Sequence, residues 1–124
     1  MEIQIGATGS AALTVGEADT AIALGSGDVP VLATPRLIAL LEEAAVASIA
    51  NDLSDGETSV GTRVAIDHVA ASVIGASVIA SAEVMDTAGR SVAFRLTARE
   101  GDQVVAAGEH TRVVVDRLRF LGTA

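Results

Sequence analysis

The chain has 124 residues, half of them apolar but only two aromatic (Phe94 and Phe120), and no cysteine. That fits a single domain over residues 1–124 with an aliphatic core, and it excludes disulfides and thiolate metal sites. Eight basic residues, all arginine, against sixteen acids give a net charge of −8, which argues against nucleic acid or an anionic membrane as partner, because phosphate contacts need a basic footprint.

The N-terminus lacks a basic segment ahead of an apolar run, and Glu2, Gly6 and Gly9 interrupt it. No charge-free apolar stretch of about 18 residues follows, so neither a signal peptide nor a membrane span is expected. The expected setting is the cytoplasm.

Residues 1–10 carry little pattern. Ala11 to Ile22 reads as a strand, with Leu13 and Val15 alternating. Gly25-Ser-Gly-Asp28-Val-Pro30 is a loop leading straight into the next element, over whose start it should lie. That element is a helix over Thr34–Ile49, with Thr34 expected as N-cap and Pro35 at the first helical position, where its missing N–H costs nothing. Turn residues from Asn51 to Gly56 end it. At about 100° per residue, Ile38, Glu42, Ala45 and Ile49 fall on one line, with Leu41 and Val46 beside it. Glu42 should therefore face the core and Glu43 solvent. Leu40 and several alanines leave the opposite face apolar, so the helix should be wrapped.

After Thr58 the pattern is all strand. From Ser59 to Val69, Val60, Thr62, Val64, Ile66 and His68 share one face, and Gly61, Arg63, Ala65 and Asp67 the other. Ser72 to Val84 is a second strand, ended by a turn at Asp86–Arg90. Ser91 to Arg99 puts Val92, Phe94, Leu96 and Ala98 on one side. Glu100-Gly-Asp102 is a hairpin turn, Gln103 to Val115 the last strand, and Arg117 to Ala124 a tail. One strand, one helix and four strands joined by hairpin turns form an α+β domain: a curved antiparallel sheet of about five strands around one central helix, the hot dog arrangement. Its partly covered helix favours pairing of two copies.

A carboxylate on an apolar stripe needs a partner, because burying it unpaired is costly. Glu42 has two candidates, the imidazole of His68 and the hydroxyl of Thr34. Together they make a general base with an orienting acid, beside a helix N-terminus suited to a developing oxyanion. Taken singly, each has an ordinary alternative: Thr34 a cap, Glu42 a satisfied residue, His68 a structural histidine.

The run Val31-Leu-Ala-Thr34-Pro, then Leu41-Glu42-Glu-Ala, Thr58-Ser-Val-Gly61-Thr and Asp67-His68-Val-Ala-Ala-Ser-Val-Ile-Gly75 resembles the fluoroacetyl-CoA thioesterase-like branch of the hot dog thioesterases. The likeness continues through Glu83–Gly89, Gly108-Glu-His-Thr-Arg112 and Arg119-Phe120. The resemblance implies hydrolysis of an acyl-CoA thioester to free acid and CoA, with no metal or redox cofactor. It implies Thr34, Glu42 and His68 as the catalytic set and Gly61 as a substrate-positioning glycine. The branch's fluoroacetyl-selective enzymes carry aromatic residues before the threonine, and Gly25–Pro30 has none. A different small or medium acyl group is therefore expected. Arg36, Arg63, His110 and Arg112 are further candidates, for the CoA phosphates. A homodimer or dimer of dimers is the expected assembly, and a non-catalytic acyl-CoA or small-acid binding module is the alternative function.

Overall fold

The structure, a computed structural model, describes residues 1–122; the last two residues of the expected tail lie outside the described residues. Five strands form one antiparallel sheet: β1 (Thr8–Thr14), β2 (Glu57–His68), β3 (Ser77–Ala88), β4 (Ser91–Glu100) and β5 (Gln103–Asp116), in the spatial order β1-β3-β4-β5-β2. Their helix, α2 (Thr34–Ile49), packs on β1 and β3 and also touches β2 and β4, so the sheet curls around it. This is the architecture expected from the element order. No helix among the described residues is long and apolar enough to cross a membrane.

The buried face of α2 carries Leu37, Leu40, Leu41, Ala44, Ala45, Ser48 and Ile49. It is rotated from the expected line, for Leu40 is fully buried while Val46 is exposed. A curled sheet covers a wider arc of the helix than one flat face does, and that moves Glu42 to the rim of the core. Val78, Val84, Phe94, Leu96 and Val114 pack against this face. Each large aliphatic side chain so buried contributes about 1.5–3 kcal/mol.

The first strand starts and stops earlier than the expected Ala11–Ile22. Asp19 turns the chain by accepting the Gly16 N–H at 2.8 Å, and Thr20 accepts the Ala23 N–H to cap a four-residue helix, α1 (Ala21–Leu24). Side-chain bonds to local backbone thus outcompete the sheet ladder. Residues 72–76, expected as strand, form a loop in which Gly75 has φ +95°. In β4 the alternation is as expected, with Val92, Phe94, Leu96 and Ala98 buried. The last residues up to Gly122 form a short helix, α3 (Arg117–Gly122), where a tail was expected.

In β2 the alternation is broken. Gly61 opposes Arg112 and Arg63 opposes Thr111, so Thr62 bulges out of the ladder. Directly opposed residues share a face. Gly61 therefore lies on the same face as Val64, Ile66 and His68, contrary to the expected split. Val60 and Thr62 take the other.

Candidate active site

His68, the last residue of β2, faces the start of α2. Its Nδ1 lies 2.8 Å from Thr34 Oγ1. Thr34 is the first helical residue rather than the N-cap; the cap is Ala33, in an extended conformation and without a side-chain bond. The entry to the helix is fixed by backbone instead. Leu32 N–H donates to the Ser72 carbonyl and Ala33 N–H to the Asp19 carbonyl, at 2.8 and 2.9 Å.

A Thr34 hydroxyl donating to Nδ1 leaves the imidazole proton on Nε2. That Nε2 is buried and has no hydrogen-bond partner among the described residues. The first helical backbone bond runs from Leu37 N–H to the Ala33 carbonyl, so the N–H groups of Thr34 and Arg36 lie outside the helical ladder, and Pro35 has none. Beside them opens a cavity of about 390 Å³, lined by Thr34, His68, Ala70 and the 26–29 loop. The loop and the helix start line this cavity together, and no Phe, Tyr or Trp is among its lining residues.

Arg36 points to Asp19 rather than to open solvent, with Nε 2.9 Å from Oδ1. The Asp19 carboxyl is held below its ordinary range by the Gly16 N–H; burial opposes this and Arg36 reinforces it. Arg63 is exposed and only 3.5 Å from Glu109, a surface pair of small energy.

Glu42 does not touch His68. Its Oε2 accepts from Arg112 Nη1 at 3.0 Å, and its side chain stays 36% exposed. Arg112, expected at CoA phosphates, is buried, with Nε on Ser59 Oγ at 2.8 Å and Nη2 on the Ser59 carbonyl at 3.1 Å. His110 is buried beside it, 3.2 Å from Nη1. Gly61 covers the group: a Cβ there would meet Glu42 Oε2 at 2.6 Å and His110 Cε1 at 3.2 Å. The single chain therefore brings Thr34 to His68, and Glu42 to Gly61 and Arg112, as two separate clusters.

Sequence reasoning missed Ser59 and Asp19, and took His110 and Arg112 for surface contacts. Their alternation with the apolar Val114 on β5 was the available signal that they point inward. Among the described residues no group of three or more His, Asp or Glu side chains could hold a metal ion.

The family model described as fluoroacetyl-CoA-specific thioesterase matches residues 15–118. A fluoroacetyl-CoA thioesterase from Streptantibioticus cattleyicolor is 34% identical over 90 residues, which are 73% of this chain and 65% of that protein. The match thus spans just under two thirds of that relative's length. A solved structure of a fluoroacetyl-CoA thioesterase superposes with a TM-score of 0.92 at 28% identity, covering 99% of this chain and 96% of that one. A hot-dog-like protein from Thermanaerovibrio acidaminovorans gives 0.87 at 24% identity, over 96% and 88% of the two chains; at that identity the likeness is one of fold.

Proposed function

We propose that this chain, which belongs to the fluoroacetyl-CoA-specific thioesterase family, hydrolyses an acyl-CoA thioester to a free acid and CoA. The observation that carries the reading is the 2.8 Å contact between Thr34 Oγ1 and His68 Nδ1 at the open end of α2, beside a cavity.

His68 acts as general base. In one route it takes the Thr34 proton while Oγ1 attacks the thioester carbon; in the other, a water takes the place of the hydroxyl. Either way the carbonyl oxygen gains charge, and the unladdered N–H groups of Thr34 and Arg36, with the positive end of the helix, are suited to receive it. The C–S bond then breaks, and the proton held by His68 returns to the CoA sulfur. In the first route a water next hydrolyses the acyl-threonine ester by the same base. No metal or redox cofactor enters these steps, and the proposed setting is the cytoplasm.

Once protonated on Nδ1, His68 needs an acceptor at Nε2, and Glu42 of the same chain is engaged elsewhere. A second copy supports the missing contact. β2 is a sheet edge with no buried residue, an unprotected surface that invites strand pairing. Pairing of two β2 edges would set the Glu42 cluster of one copy against the His68 end of the other. We therefore infer a homodimer whose site combines both clusters, which allows further assembly into a dimer of dimers.

The absence of aromatic side chains around the 26–29 loop supports an acyl group other than fluoroacetyl, of small or medium size. Exposed Arg63 remains a candidate for the CoA phosphates. Steady-state hydrolysis of an acyl-CoA panel, with size-exclusion chromatography on the same samples, tests the reading. Turnover of at least one thioester by a dimer, abolished in His68→Ala, is expected. If nothing on the panel is turned over, or His68→Ala is as fast as wild type, the enzymatic reading fails.

A further inference from the structure

Behind Glu42 lies a polar cluster that the hydrolytic steps do not use. Arg112 presents its guanidinium in three directions: Nε and Nη2 to the Ser59 hydroxyl and carbonyl, and Nη1 to both Glu42 Oε2 and His110 Nε2. His110 is fixed from behind, where Nδ1 lies 2.7 Å from the Arg63 carbonyl oxygen. A carbonyl only accepts, so Nδ1 carries the proton and Nε2 offers a lone pair to Arg112. The ring also stacks on Phe94, with centroids 5.7 Å apart and planes at 29°.

We propose that His110 is a positioning residue: a neutral imidazole whose Nε2 lone pair holds the Arg112 guanidinium and, through it, the Glu42 carboxylate. The proposal rests on the role given above to Glu42. Arg112 Nη1 has two hydrogens. With one taken by His110, Glu42 receives a single bond on Oε2, and Oε1 keeps no hydrogen-bond partner among the described residues. Without the imidazole acceptor, one buried Nη1 hydrogen is left unsatisfied, and the direction in which the guanidinium meets the Glu42 carboxylate is no longer fixed. Gly61 adds the packing side of the same device. A Cβ there would meet Glu42, His110 and Arg112 at 2.6, 3.2 and 3.4 Å, so the three polar groups close on the strand where no side chain stands.

Two variants test this. His110→Phe keeps a ring against Phe94 and deletes both nitrogens; His110→Gln restores an oxygen able to accept from Arg112. The phenylalanine variant should lose about tenfold or more in kcat with KM within about twofold, and the glutamine variant should recover most of that loss. If the phenylalanine variant does not fold, His110→Leu replaces it. An activity-independent readout is the ¹⁵N spectrum of the Arg112 guanidinium. Separate, slowly exchanging Nη signals are expected in wild type and His110→Gln, and averaged signals in His110→Phe. Arg112 signals or a kcat unchanged by His110→Phe, or a glutamine variant as impaired as phenylalanine, would overturn the proposal. A wild type without thioesterase activity, or Glu42→Ala as fast as wild type, would instead sink the catalytic reading, and the spectra alone would then decide the positioning.

Discussion

Thr34 Oγ1 and His68 Nδ1 lie 2.8 Å apart, although one opens a helix and the other closes a strand 34 residues later. The contact takes a hydroxyl that local rules would have assigned to capping. The helix tolerates this because Pro35 removes one orphan N–H and the Leu32 and Ala33 backbone bonds fix the entry without a side chain. Local order at the helix start is thereby independent of the Thr34 hydroxyl.

That independence separates activity from stability at this position. Thr34→Ala should lower kcat by about 10²–10⁴-fold, the usual range for losing a proton-transfer partner, while Thr34→Ser retains measurable turnover. Because the residue is exposed and caps nothing, the melting temperature of Thr34→Ala should not fall. A parallel loss of stability and activity would show that the hydroxyl is structural.

Gly61→Ala tests the second cluster. The new Cβ would stand 2.6 Å from Glu42 Oε2, a side-chain end that can move but is tethered to Arg112. The expected outcome is a folded protein, destabilised by about 1–3 kcal/mol at most, whose kcat falls with little change in KM. Denaturant titration and steady-state kinetics on the same sample separate the two effects.

Gly9→Ala should act on stability alone. Its Cβ would lie 2.4 Å from the Ala44 carbonyl and the Ser48 nitrogen, both backbone of α2. Backbone cannot rotate away as a side chain can, so β1 must separate from the helix. A loss at or above the overpacking range of about 1–3 kcal/mol is expected in urea unfolding. An unchanged midpoint would contradict the close packing of β1 on α2.

His110 gives a dependence of stability on pH. Burial, reinforced by Arg112, holds its pKa below the ordinary 6.5, while the Arg63 carbonyl and Glu42 act the other way. Below pH 6.5 the unfolded chain takes up a proton at this residue that the folded chain resists. Stability from this group is therefore present above that pH and is lost as pH falls through the folded value. Urea titrations from pH 8 to pH 5 should show a smaller acid loss for His110→Phe than for wild type; an equal loss would place the effect elsewhere.

Much of the fold was legible because its signals are local. Val92, Phe94, Leu96 and Ala98 alternate in the sequence and are buried in the structure. Thr34 to Ile49 has proline at its second position and ends where the sequence turns polar, and those bounds agree with α2. The strand expected up to Ile22 was lost to Asp19 and Thr20, whose side chains bond the backbone three residues away. A period of two carries no trace of such bonds. Thr62 misled the reading further: one bulged residue transfers Gly61 to the face of His68, and no composition marks it.

Residue types and their periodicity determined by themselves that this chain would make one wrapped helix and an antiparallel sheet, while Thr34, Glu42 and His68 were weak signals singly that only the family resemblance joined into a set. Hydrophobic spacing decides which face of an element turns inward, and a chain carries that spacing in its order. Only the tertiary structure decided which polar groups meet. Register, a bulge and the curl of the sheet set Thr34 on His68, turned Arg112 inward to Glu42 and put His110 behind it. The first two contacts span 34 and 70 residues of chain, while His110 and Arg112 are two apart on β5, and a buried charge settles on whichever partner the completed packing brings within reach.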